Sequence, residues 1–213
     1  MLNYYSKHLF GFDVYFLFYS YGYPFGIRLE VIMKTISSKK IAFYGVMSAL
    51  MFVFLLVETY LFTAFFGNFT PAILTLPFAV ALSVWSGKTN MWVGGTIFGC
   101  CSFVLAAIIG NPVFLNPLVS VLPRVLIGVV AYLVYMLAKK LIRNKNVCFS
   151  IAGAFGILTN TVCTLTMMWV FNAASLAAVI TVIMSVNFLA EIIGAIVLVP
   201  IYSKIFKRIE VRL

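Results

Sequence analysis

Three residues carry most of the chemistry open to this sequence. Glu58, Arg124 and Glu191 each stand inside a long apolar stretch, and the two glutamates are most of the acidic residues found after position 33. An ionised side chain at a bilayer centre costs about 2.5–3.5 kcal/mol on insertion scales, so such groups face a cavity or pair with one another. Two arrangements satisfy that demand. Arg124 can pair with Glu191 or Glu58 and merely fasten helices, or all three can grip a small molecule together with nearby amides. The second arrangement is favoured because one arginine leaves one of the two carboxylates unpaired. Asn187 and Glu191 share a helix face through their i,i+4 spacing, as do Ser120 and Arg124. Asn160, Cys163, Thr164 and Met167 add a mildly polar stripe on the fifth apolar stretch.

Other chemistries lack their residues. The only histidine is His8, so the rest of the chain has no imidazole for a Ser/His or Glu/His site or for a metal. Cys100, Cys101, Cys148 and Cys163 show no CxxC spacing and read as packing residues. Gly87, Lys88 and Thr89 imitate the end of a P-loop, but Leu82 stands where its first glycine belongs. No catalytic residue, metal or cofactor is expected, and the protein reads as a non-enzyme.

The elements that must position these groups are membrane helices. The chain is 64% hydrophobic and 9% charged, with a mean hydropathy of +1.12, too apolar to cover a water-soluble globule. Apolar stretches fall near 41–66, 71–87, 91–109, 118–138, 149–171 and 179–203, each about long enough to cross a hydrocarbon core of about 30 Å. The fold class expected is therefore an all-α membrane protein with six transmembrane helices. Apart from Arg124, the cations beside these stretches fall on alternate connections. Lys34, Lys39 and Lys40 come before the first, Lys88 lies between the second and third, Lys139 to Lys145 between the fourth and fifth, and Lys204 to Arg212 after the sixth. The positive-inside rule then sets both termini in the cytoplasm. The net charge of +10 belongs beside lipid headgroups and calls for no nucleic acid. Gly95 and Gly99 form a GxxxG pair suited to close helix packing.

On that topology Glu58 lies about 25 Å from the cytoplasmic start of its span, and Arg124 and Glu191 lie in the outer half or at the midplane. Asn111, Pro112, Asn116, Pro117 and Pro123 form a stiff, helix-breaking approach to the fourth span. That backbone is tolerable only beside water or a cavity, so Asn116 joins the candidate ligand contacts, with a simple loop as the alternative. Residues 1–32 differ from the rest: Tyr and Phe are dense, Asp13 and several glycines interrupt them, and no small-residue cleavage site follows. The expectation is a doubtful leader, with translation starting at Met33 and the six-helix domain occupying 33–213. An interfacial aromatic segment is the other reading.

The stretches NPLVSVLPRVLIG at 116–128, LTNTV at 158–162 and NFLAE at 187–191 resemble the fourth, fifth and sixth helices of the substrate-binding S components of energy-coupling factor (ECF) vitamin transporters. The resemblance runs from about Met33 to the C-terminus. It implies a six-helix subunit of the bacterial plasma membrane that binds a vitamin near the outer face. It also implies docking on a transmembrane coupling subunit driven by two ATPase subunits, which accounts for the missing ATP motif. By position, Arg124, Asn160 and Glu191 are implied as ligand contacts. Small residues on the first helix are implied as the docking surface, where Ala42, Gly45 and Ala49 supply the spacing, with glycine in place of the usual first alanine. Within the family the sequence resembles the pantothenate group most closely, and Arg124 can then fork a carboxylate while Glu191 and Asn187 hold hydroxyl and amide groups. Riboflavin and an aminopyrimidine precursor of thiamine (hydroxymethylpyrimidine) stay open. Outside this family, the alternatives are a six-helix membrane scaffold of the rod-shape type, which needs no pocket, and a self-sufficient secondary carrier, which often shows two similar halves. No internal repeat is visible in this chain.

Overall fold

Apolar sequence in lipid can satisfy its backbone only within helices or closed barrels, and among the described residues every regular element is helical. The computed structural model describes residues 38–66, 71–172, 175 and 186–210. The leader and the Met33 start lie outside the described residues. Helix α1 (Ser38–Leu56) continues through a π-helical segment, Val57–Phe62, into the short α2 (Thr63–Phe66). Then follow α3 (Thr75–Ser86), α4 (Val93–Ile109), α5 (Pro117–Ser120), α6 (Leu122–Leu141), α7 (Lys145–Val170) and α8 (Val186–Glu210).

Among the described residues, four helical stretches are long and apolar enough to cross a membrane: Lys40–Phe62, Pro117–Leu141, Lys145–Val170 and Val186–Ile209. The stretches expected as the second and third spans differ. They are α3, of 12 residues, and α4, of 17 residues, roughly 18 and 25 Å long at 1.5 Å per residue. Local chemistry shortens them. Residues 71–74 form an irregular lead into α3, and Gly87, at φ +80°, ends it. Gly110, at φ +76°, closes α4 with its N–H donating to the Ala106 carbonyl at 2.9 Å.

Helix α3 is apolar on every side, and Thr75 to Val84 are all buried, as expected of a central helix. It packs against α4, α6, α7 and α8. Helix α1 joins the same core through Phe43, Met47, Met51 and Leu55, spaced four apart on one face. Its other face leaves Ala42, Gly45 and Ala49 exposed. Between α4 and α6 the GxxxG pair permits near contact of the backbones: a Cβ on Gly95 would collide with the Arg124 carbonyl, and one on Gly99 would lie 3.0 Å from the Val121 Cα. The backbone that carries Arg124 is thereby pinned to α4.

The two ends of the bundle differ in character. Lys88, Lys139, Lys140, Arg143, Lys145, Lys204, Lys207 and Arg208 sit on the α3–α4 turn, the α6–α7 turn and the C-terminal end of α8, which the antiparallel run of helices gathers at one end. Just inside that end an aromatic column joins α1, α3 and α8. Phe43 lies 4.7 Å from Trp85, and Phe78 lies 5.2 Å from Phe206 and 5.3 Å from Tyr202, ring centre to ring centre. Pairs of this kind add about 0.5–1.5 kcal/mol beyond their buried area, so that half is tightly filled.

Candidate ligand-binding site

The opposite end is built around a break in a helix. Asn116 starts α5 by accepting the Leu118 N–H on Oδ1 at 3.0 Å, with Pro117 following at the first helical position. Helix α5 lasts four residues, because Pro123 has no N–H to offer the Val119 carbonyl one turn before it. The side chain of the next residue supplies the missing donor. Arg124 Nη1 donates to Val119 O at 2.9 Å and to Ser120 O at 2.7 Å. Its guanidinium carbon also lies 5.3 Å from the Phe98 ring centre and 5.2 Å from that of Phe114. The residue is only 7% exposed, and its Nε is buried with no partner. A cation that far from water with an unmatched donor is costly unless something else completes it.

Beside it lies a cavity of about 500 Å³, within the range of small-molecule pockets. Arg124 lines it, as do Asn160 on α7 and Asn187 and Glu191 on α8. Four of the residues expected to contact a ligand are thus brought together, at the end of the bundle away from the lysines. Among the described residues Glu191 is held by a hydrogen bond in which Oε1 accepts the Ala72 N–H at 3.1 Å. Asn160 Oδ1 accepts the Thr164 hydroxyl at 3.5 Å, which leaves its amide N–H groups as the donors available to a ligand. The apolar wall includes Leu76, Leu105, Leu165 and Met168.

Glu58 and Asn116 are not in the cavity lining. Asn116 is engaged as a helix cap. Glu58, 3% exposed, caps α3 from a different helix. Its Oε1 accepts the Thr75 N–H at 3.1 Å and the Leu74 N–H, and its Oε2 accepts the Thr75 hydroxyl. The start of α3 has no side-chain cap of its own, so this carboxylate satisfies donors that would otherwise be orphaned in an apolar core. The ion pair considered from sequence is replaced by backbone partners: both glutamates accept from N–H groups in 72–75, and Arg124 donates to carbonyls. The proposed docking residues Ala42, Gly45 and Ala49 lie on the exposed face of α1, away from this lining.

Several lining residues escaped sequence reasoning. The α7 stripe is rotated from the expected one: Asn160, Thr161, Thr164, Leu165 and Met168 line the cavity, while Cys163 and Met167 do not. The small residues Ala152, Gly153 and Gly156 mark its phase in the sequence, and with Ile157 they are buried on that same face. Ser102, Asn111, Phe98 and Phe114 also line the wall. Asn111 belongs to the proline-rich connection already singled out, whereas no signal separates Phe98 or Phe114 from the other phenylalanines.

No protein-family model matches the chain. The chain is 27% identical over 173 residues to the pantothenic acid transporter PanT of Lactococcus lactis subsp. cremoris (strain MG1363), a match covering 69% of this chain and 85% of that protein. The chain is similar to a vitamin transporter. Four helices among the described residues are long and apolar enough to span, and with this similarity the chain is a multi-pass protein of the bacterial plasma membrane and not an enzyme.

Proposed function

We propose that this protein is the substrate-binding S component of an ECF-type, ATP-driven importer, and that its vitamin is pantothenate. The observation that carries the reading is Arg124, a buried cation on the cavity wall whose Nε lacks a partner. A ligand carboxylate is the group that best completes such a guanidinium, through charge-assisted hydrogen bonds. Pantothenate also carries an amide and two hydroxyls to suit Asn160, Asn187 and Glu191, and two methyl groups to suit the apolar wall. Riboflavin and the aminopyrimidine have no carboxylate and would leave the arginine unmatched. A rod-shape scaffold has no use for such a cavity.

The same reading gives the topology and partners. The lysine-bearing end faces the cytoplasm with both termini, the cavity faces outward, and the shorter α3 and α4 complete six crossings inside a sheath of longer helices. The exposed small residues Ala42, Gly45 and Ala49 dock on the transmembrane coupling subunit, and two ATPase subunits supply the energy. Capture from outside is followed by closure of the outer connections and reorientation of the loaded protein in the membrane, as the resemblance implies. The test is to purify the full chain in lipid nanodiscs, identify ligand carried through by mass spectrometry, and measure labelled pantothenate binding with vitamin competitors. Retained pantothenate, displaced by itself and not by riboflavin or hydroxymethylpyrimidine, is the expected result. Displacement by either competitor, or no pantothenate binding, refutes the assignment.

A further inference from the structure

A guanidinium on a cavity wall presents its planar fork to a ligand only if its orientation is held. In Arg124 the Nη1 edge is tied to two backbone carbonyls, and Phe98 and Phe114 both lie within cation–π reach of the guanidinium carbon. The two rings stand in different circumstances. Phe98 belongs to α4 and to the buried hydrophobic core, whereas Phe114 is outside that core, on the connection between α4 and α5. Packing of the helices therefore does not explain an aromatic at 114. The connection is shaped on both sides of it by asparagine side chains, Asn111 Oδ1 accepting the Val113 N–H at 3.2 Å and Asn116 Oδ1 accepting from Leu118. These turns shape the backbone from which the Phe114 ring reaches the guanidinium.

We propose that Phe114 is a positioning residue that holds the Arg124 guanidinium in the orientation a ligand carboxylate needs and so sets the preference of the site for acids over neutral analogues. The proposal rests on the pantothenate reading. Phe114 acts through Arg124, so its removal weakens the recognition of charge more than it weakens the cavity as a whole.

The test uses the full chain in nanodiscs and two ligands, pantothenate and pantothenol, in which a CH₂OH group replaces the carboxylate. The wild type should prefer the acid. Phe114→Leu keeps an apolar side chain without a ring and should shrink that preference about tenfold, the acid losing more affinity than the alcohol. Phe114→Tyr, which restores a ring, should recover it. Phe114→Met also lacks a ring and repeats the measurement where Phe114→Leu accumulates poorly. Equal losses for both ligands would make Phe114 an ordinary wall contact and overturn the proposal, as would an undiminished preference. A wild type that binds both ligands equally well would instead overturn the carboxylate reading itself, and the positioning role with it.

Discussion

Replacing Arg124 by methionine separates the proposed binding role of this cation from any role in holding the fold. Methionine keeps much of the side-chain length and removes the charge. Truncating one partner of a buried, hydrogen-bonded charge pair costs about 2–5 kcal/mol, which is about 30-fold to 4,000-fold in affinity. The effect on the ligand-free protein is a balance of opposing terms. The Val119 carbonyl, already deprived of a backbone donor by Pro123, loses Nη1 at a cost of about 1–3 kcal/mol. The contacts with Phe98 and Phe114 add to that loss. Against it, the cation and its unpartnered Nε no longer need to be desolvated, a gain of several kcal/mol. The terms are of similar size, so the ligand-free protein should unfold at nearly the wild-type temperature while binding collapses. Arg124→Lys keeps the charge without the fork and should fall between the two. The assay pairs pantothenate titration in nanodiscs with thermal unfolding in the absence of ligand. Arg124→Met binding pantothenate within threefold of wild type would refute the reasoning. Loss of the fold in step with binding would show that the arginine is a structural tie.

Glu58 should behave in the opposite way. Glu58→Gln keeps an acceptor for the Leu74 and Thr75 N–H groups, whereas Glu58→Leu leaves those donors and the Thr75 hydroxyl unpaired in a buried setting. The leucine variant should lose about 2–4 kcal/mol of stability, read as a lower unfolding temperature. The glutamine variant should hold pantothenate within about threefold of the wild type, since Glu58 is off the lining. At the α1 surface, a Cβ on Gly45 meets nothing within 4 Å, so Gly45→Trp should fold and bind normally. It should abolish co-purification with the coupling subunit and uptake in cells; intact uptake would remove this face from the docking surface.

The parts of the site visible in the sequence are those where cost is visible there. Arg124 and Glu191 stood out because an ion in lipid is expensive at any rotation of its helix, and Asn187 followed from its spacing to Glu191. Glu58 stood out for the same reason, but its partners are the backbone N–H groups of Leu74 and Thr75, and a backbone group sixteen residues away leaves no mark in a sequence. The helix lengths of α3 and α4 were hidden similarly, since apolar composition runs on through the irregular lead at 71–74 and through the turn at Gly87. Phe98 and Phe114 were hidden by abundance: the chain has 21 phenylalanines, and lipid-facing rings have the same letter as rings that meet a cation.

The adjacency of Pro123 and Arg124 joins these levels. A proline near the start of α6 removes one backbone donor, and the carbonyl it strands, Val119 O, is taken by the side chain of the very next residue. That contact spends one nitrogen of the guanidinium on the fold and draws the arginine inward. The glycine at 95 then allows the Arg124 backbone to lie against α4, from which Phe98 reaches its guanidinium. A proline or an arginine alone would break a helix or burden a membrane. Side by side, each satisfies the other's deficit in part. What is left over includes a buried Nε without a partner, on a residue of the cavity wall, and that remainder is the chemical reason for proposing an acid as the ligand of this cavity.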